Sequence, residues 1–234
     1  MAALAGRVAL ITGASRGLGA AVAKRFAAEG AHVVLIARTV GGLEEVDDAV
    51  QAAGGTATLV PLDLKDFDQI DRLGAALYER YRRLDILVGN AGMLGVLSPL
   101  GHIDPSVWSE VMAVNLTANW RLIRSMDPLL RQSNAGRAIF VTSGAGSGVF
   151  PYWGAYATSK AALEMMARTY AGEMTKTMVR VNLIDPGVVR TAMRAEAFPG
   201  ENRASLRHPD EVAPRFVELA SPACTRHGEV LRCA

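Results

Sequence analysis

Tyr156 and Lys160 stand four residues apart in a segment of helical period, so a helix there carries both on one face with about 6 Å of rise between them. A free phenol titrates near ~10 and is a poor base at neutral pH; an ammonium beside it favours the phenolate and is expected to lower that value. Ser143 lies thirteen residues earlier, at the end of an apolar run, where its hydroxyl can hold the oxygen of a reacting group at a fixed distance. This trio suits chemistry that makes or unmakes an alkoxide. Hydride delivery to a carbonyl leaves an oxygen that needs a proton, and the reverse reaction needs a base for the alcohol proton. A Tyr-x-x-x-Lys pair alone is a weak signal, and its worth depends on what surrounds it.

A second group of residues handles anions. Thr12-Gly13-Ala14-Ser15-Arg16-Gly17-Leu18-Gly19 follows an apolar run directly and leads into an Ala-rich helical segment. Glycines allow the tight turn and a close approach of backbone to a pyrophosphate, which then rests on the free N–H groups and positive dipole end of the helix.

The spacing is Gly-x-x-x-Gly-x-Gly, not the Gly-x-Gly-x-x-Gly of the common dinucleotide fingerprint. In this it resembles the short-chain dehydrogenases/reductases (SDR). The resemblance runs along nearly the whole chain, through Asn90-Ala91-Gly92, Asn115, Ser143, Tyr156 to Lys160 and Pro186-Gly187. It implies an oxidoreductase with Asn115, Ser143, Tyr156 and Lys160 as its catalytic set, Asn115 holding a water that links Lys160 to solvent. It also implies a cofactor site of Gly13, Ser15, Arg16, Gly17, Leu18 and Gly19 at the phosphates, Arg38 and Thr39 after the second strand, and Asp63 and Leu64 at the adenine. Asn90, Ala91 and Gly92 line the cofactor, Tyr156 and Lys160 meet it, and Pro186, Gly187, Val189 and Thr191 serve the nicotinamide amide and the phosphates. An acidic residue ending the second strand would bind a ribose 2′-hydroxyl and repel a 2′-phosphate. Ala37 stands there, followed by Arg38, with Arg16 in the glycine loop; two guanidiniums point to NADP(H) over NAD(H).

These residues need a frame. Short Val-, Ile- and Leu-rich runs alternate with segments of helical period, and continuous apolar runs are what strands buried on both faces require. Strands are expected at 7–12, 32–37, 57–62, 84–89, 137–142, 179–184 and 229–233, and helices at 17–29, 42–53, 67–81, 105–131, 155–175 and 209–219. Asp104 should cap a helix opening at Pro105. The pattern predicts an α/β fold: one doubly wound Rossmann domain over 1–234, a parallel sheet of about seven strands flanked by helices, with ligands beyond the carboxyl ends of the strands.

Composition narrows the rest. Half of the 234 residues are hydrophobic and the formal net charge is +2, with Lys and Arg scattered, so nucleic acid is a poor partner. No apolar run is long enough to span a bilayer, and Met1 to Ala5 is too short for a signal segment, so a cytoplasmic protein without a membrane partner is expected. Cys224 and Cys233 form no CxxC pair and the four histidines are dispersed, which leaves no metal site. Gly146-Ser147-Gly148 lacks the strand-to-helix elbow of a serine hydrolase. The remaining rival is a non-catalytic NADP-binding sensor or scaffold, which has no need of the full Ser143, Tyr156, Lys160 and Asn115 set. Phe150, Tyr152, Trp153, Met93 and Leu94 fit either an apolar pocket for a small carbonyl or alcohol substrate or plain core. The short connection at 192–208 suggests an open site, and Asp185 has no evident role. The resemblance further implies a homodimer or homotetramer built on the helices near 105–131 and 155–175.

Overall fold

Side chains on the central strands alternate between two separate apolar cores. In β1 (Val8–Thr12), Ala9 and Ile11 face one core and Leu10 the other; in β2 (His32–Ala37), Val33 and Leu35 oppose Val34 and Ile36. Both sets are fully buried, as expected for strands covered by helices on each face. The computed structural model describes residues 2–233; Met1 and Ala234, the ends of the expected 1–234 domain, lie outside the described residues.

The remaining strands are β3 (Thr56–Pro61), β4 (Ile86–Gly89), β5 (Arg137–Val141), β6 (Arg180–Asp185) and β7 (Val230–Arg232), all parallel in the order β3-β2-β1-β4-β5-β6-β7. One core packs under α1 (Gly17–Ala28), α2 (Val40–Ala52) and α8 (Pro209–Ala220). The other packs under α3 (Phe67–Tyr81), α5 (Ala118–Arg131) and α6 (Gly154–Met174). The expected doubly wound sheet of seven strands is therefore present. The order reverses between β1 and β4, which opens a crevice at their carboxyl ends.

One expectation needs correction. The helix expected over 105–131 is three pieces: α4 (Pro105–Met112), a π turn at Ala113–Thr117, and α5. Asp104 does cap α4, accepting from the Ser106 N–H. The widened turn has a tertiary cause. Asn115 is pulled toward the exit of β4, and the Asn119 side chain donates 2.9 Å to the Asn115 carbonyl, satisfying a backbone group inside the bulge. The short connection at 192–208 carries a helix of its own. Thr191 caps a short helix, α7 (Ala192–Ala197), by accepting from the Arg194 N–H, and Arg194 pairs with Glu201.

Candidate active site

A single cleft of about 1070 Å³ runs across the carboxyl ends of the strands, from the glycine loop to α6 and α7. At one end the first turn of α1 has no side-chain cap and no acidic residue, so its N–H groups are open to an anion. Gly13 and Gly17 have φ of +65° and +57°, a region that favours glycine. Gly19 is required by contact instead: a Cβ there would run into the Gly13 carbonyl oxygen and the Asn90 amide. The loop is tied to β4 from below. The Thr12 hydroxyl accepts from the Asn90 and Ala91 N–H groups at 3.0 Å each, and the Asn90 amide donates 2.8 Å to the Thr12 carbonyl. Arg16 and Arg38 are exposed at this end, with no carboxylate partner among the described residues. Glycines that exclude a Cβ, a bare helix end and two uncommitted guanidiniums together fit a phosphorylated dinucleotide.

At the other end Tyr156, Ser143 and Lys160 converge. Ser143 lies two residues past the end of β5, accepts 3.2 Å from the Ala145 N–H, and stands close enough to the Tyr156 phenol to pull its titration down. The Lys160 ammonium is 3% exposed, donates 2.8 Å to the Val141 carbonyl and lies 5.7 Å from the centre of the Tyr156 ring. The acidity expected of this pair is not what the geometry gives. Burial pushes the phenol above its ordinary value, the Ser143 hydrogen bond pulls it down, and the Asp185 carboxylate raises it again. Burial also pushes Lys160 down, to about 8. Both groups have left water, and for each the lost hydration of the charged form outweighs what its neighbours return.

Asn115 is wholly buried and does not line the cleft. Its amide oxygen accepts 2.8 Å from the Met93 N–H, and its NH₂ donates 2.9 Å to both the Met93 carbonyl and the Ser159 hydroxyl, which donates 2.7 Å to the Tyr156 carbonyl. The side chain thus fastens the exit of β4 to α6 at Ser159, the residue before Lys160. Asn115→Ala is expected to cost about 2 kcal/mol of folding stability, because it leaves part-buried backbone groups of Met93 and the buried Ser159 hydroxyl without their partner; urea unfolding checks this.

Beyond Tyr156 the cleft is aromatic. The Trp153 ring lies 5.8 Å from Tyr156, 6.2 Å from Phe150 and 5.9 Å from Phe198, and Leu94, Met193 and Ala197 pack in the same cluster. Tyr152 turns Trp153 into this position by adopting φ of +73°, held by the Ser98 N–H on its carbonyl. Phe198 follows α7, so the short 192–208 segment supplies a wall of the cleft.

Residues 7–202 match the sequence model of the short chain dehydrogenases. The chain belongs to that family. The uncharacterized oxidoreductase YciK of Escherichia coli is 38% identical over 216 residues, spanning 91% of this chain and 85% of that protein. An uncharacterized NAD-dependent oxidoreductase of Mycobacterium tuberculosis is 38% identical over 204 residues, 81% of this chain and 74% of its own length. Among solved structures, one described as a short chain dehydrogenase from Escherichia coli CFT073 complexed with NADPH superposes with a TM-score of 0.93 at 36% identity, covering 99% of this chain and 98% of that one. This chain is accordingly an oxidoreductase of the short chain dehydrogenase family.

In this family member every residue singled out for cofactor binding borders the one cleft, as does Ser143; Asn115 alone stands behind it. Sequence reasoning missed Thr12, Ser159 and the Val141 carbonyl. Thr12 opens the glycine motif and Ser159 precedes Lys160, so both had a positional signal; a backbone acceptor has none. No group of three or more His, Cys, Asp or Glu side chains able to hold a metal occurs among the described residues, and no described helix is long and apolar enough to cross a membrane.

Proposed function

We propose that this short chain dehydrogenase transfers a hydride between NADP(H) and a small carbonyl or secondary alcohol, with Tyr156 as general acid and base. The observation that carries the reading is the continuity of the cleft: uncommitted Arg16 and Arg38 lie at one end, and Ser143, Tyr156 and Lys160 at the other. The cofactor supplies the hydride-accepting or hydride-donating carbon. Gly13, Ser15, Gly17, Leu18 and Gly19 hold its phosphates at the head of α1, Arg16 and Arg38 hold the 2′-phosphate, Thr39, Asp63 and Leu64 hold the adenosine, and Asn90, Ala91, Gly92, Pro186, Gly187, Val189 and Thr191 line the path to the reacting end. Thr191 stands against Gly17, where its hydroxyl can reach the same phosphates.

The chain's own part in the reaction is proton handling and positioning. The Ser143 hydroxyl holds the substrate oxygen against the phenol; Tyr156 gives that oxygen a proton in reduction and takes one in oxidation. Lys160 supplies the positive field that stabilises the phenolate once the proton has left. Asn115 fixes Met93 and Ser159 around this group. The exposed Trp120 on α5 and Met165 on α6 offer apolar surface for the homodimer or homotetramer contact that the resemblance implies.

A carbonyl panel assayed with NADPH and with NADH tests the cofactor argument. NADPH is expected to be preferred, and Arg38→Ala to erode that preference ten- to a hundredfold, the worth of about one or two charge-assisted hydrogen bonds. Equal use of both cofactors by the unaltered protein would refute it, in line with the NAD-dependent name of the mycobacterial relative.

A further inference from the structure

Asp185 is the last residue of β6, and its carboxylate is only half committed. The pairing of Val141 with Ile184 sets Asp185 opposite Thr142, one residue before Ser143. Val181 and Leu183 face the core under α6, so alternation points Asp185 to the α6 side, the side of Tyr156 and Lys160. Its Oδ1 accepts 3.0 Å from the Gly187 N–H, closing the turn through Pro186. Its Oδ2 has no hydrogen-bond partner among the described residues and lies 3.7 Å from where a Cβ on Gly144 would stand, beside Ser143. The residue lines the cleft and is half-buried, and no ion pair engages it among the described residues. The Glu164 carboxylate, near this end of β5, is occupied by the Thr142 hydroxyl and Arg168.

We propose that Asp185 is a specificity-determining residue: its free oxygen places a negative charge beside Ser143 at the substrate end of the cleft. The site therefore takes carbonyl compounds that are neutral or cationic next to the reacting carbon and rejects those bearing a carboxylate there, 2-oxo acids above all. The proposal rests on the reading of the cleft given under Proposed function. Two features support it. The cleft wall beyond Tyr156 is Trp153, Phe150 and Phe198, which accept an uncharged flat body and offer an anion nothing. The one nearby guanidinium of α7, Arg194, is already held by Glu201 and stacked on Phe198. The Lys160 ammonium at this end is held by the Val141 carbonyl, so a substrate carboxylate next to the reacting carbon would meet the like charge of Asp185 in a place water only partly screens. The field of Asp185 on the phenol is a second sign that the two groups share one space.

Asp185→Asn removes the charge and keeps an oxygen for the Gly187 N–H, which separates charge from turn closure. Reduction of acetophenone and of phenylglyoxylate, the same aryl ketone with a carboxylate on the carbonyl carbon, is compared in both proteins with NADPH. The unaltered protein should reduce acetophenone with at least tenfold higher kcat/KM. Asp185→Asn should close that gap at least tenfold, through the KM of phenylglyoxylate, with an unchanged thermal midpoint. A gap that is absent in the unaltered protein, or that survives Asp185→Asn, overturns the proposal. Titrating benzamide and benzoate against intrinsic tryptophan fluorescence gives a readout independent of turnover. Benzamide should bind the unaltered protein at least tenfold more tightly than benzoate, and Asp185→Asn should equalise them; equal binding before substitution overturns the proposal. If neither ketone is reduced, the hydride-transfer reading falls while these titrations still decide the role of Asp185.

Discussion

Tyr156→Phe is expected to lower turnover about 10³-fold, the range measured when a positioned proton donor is removed. Few substitutions are better controlled. The ring packs in a small cluster with Leu94 and Ala145, which Phe fills equally, so the thermal midpoint and cofactor affinity should hold while catalysis fails. The pH dependence carries a sign. Burial and Asp185 hold the phenol protonated beyond its ordinary range, against the pull of the Ser143 hydrogen bond. Carbonyl reduction needs the protonated phenol, so its rate constant should stay level from pH 6 through the ordinary phenol range and fall only beyond it. Alcohol oxidation needs the phenolate and should rise across the same range. Stopped-flow rates in each direction test both limbs; a reduction rate already falling near pH 7 would show that Lys160 dominates the phenol after all.

That uncertainty of sign shows where sequence reasoning stops. The frame was legible because it is periodic: His32–Ala37 and Phe67–Tyr81 fall where the apolar pattern places them, and the other strands lie within a residue or two. The site was legible because glycines and a Tyr-x-x-x-Lys pair at fixed offsets leave marks that a single chain displays. What was hidden depends on burial or on contacts distant in sequence. Nothing in 105–131 announces a π turn, since its cause is Met93 holding Asn115 across twenty-two residues. Helical spacing brings Lys160 and Tyr156 together, yet only the fold reveals that both lose their water. Phe150 and Trp153 could have been core or pocket, and the answer came from α7 delivering Phe198 against them.

Lys160→Met should cost as much activity as the loss of Tyr156, because it removes the charge that steadies the phenolate, but its more telling effect is on stability. The unfolded chain holds the lysine proton up to its ordinary value of 10.5, whereas the folded protein releases it at about 8. Between those values the unfolded state binds the extra proton, so raising the pH favours the fold. Below about pH 8 the protein carries the full cost of a buried ammonium, met only in part by its hydrogen bond to the Val141 carbonyl. Unfolding free energy should therefore climb by about 2 kcal/mol between pH 7 and pH 9.5 in the unaltered protein relative to Lys160→Met, which has nothing to titrate at that position. Urea unfolding of the two proteins at both pH values measures this difference, and a constant gap would mean that Lys160 titrates as though it were in water. The same desolvation that makes the ammonium expensive lets it act on Tyr156 undiminished by solvent, so a catalytic charge here is a stability cost that the two apolar cores offset.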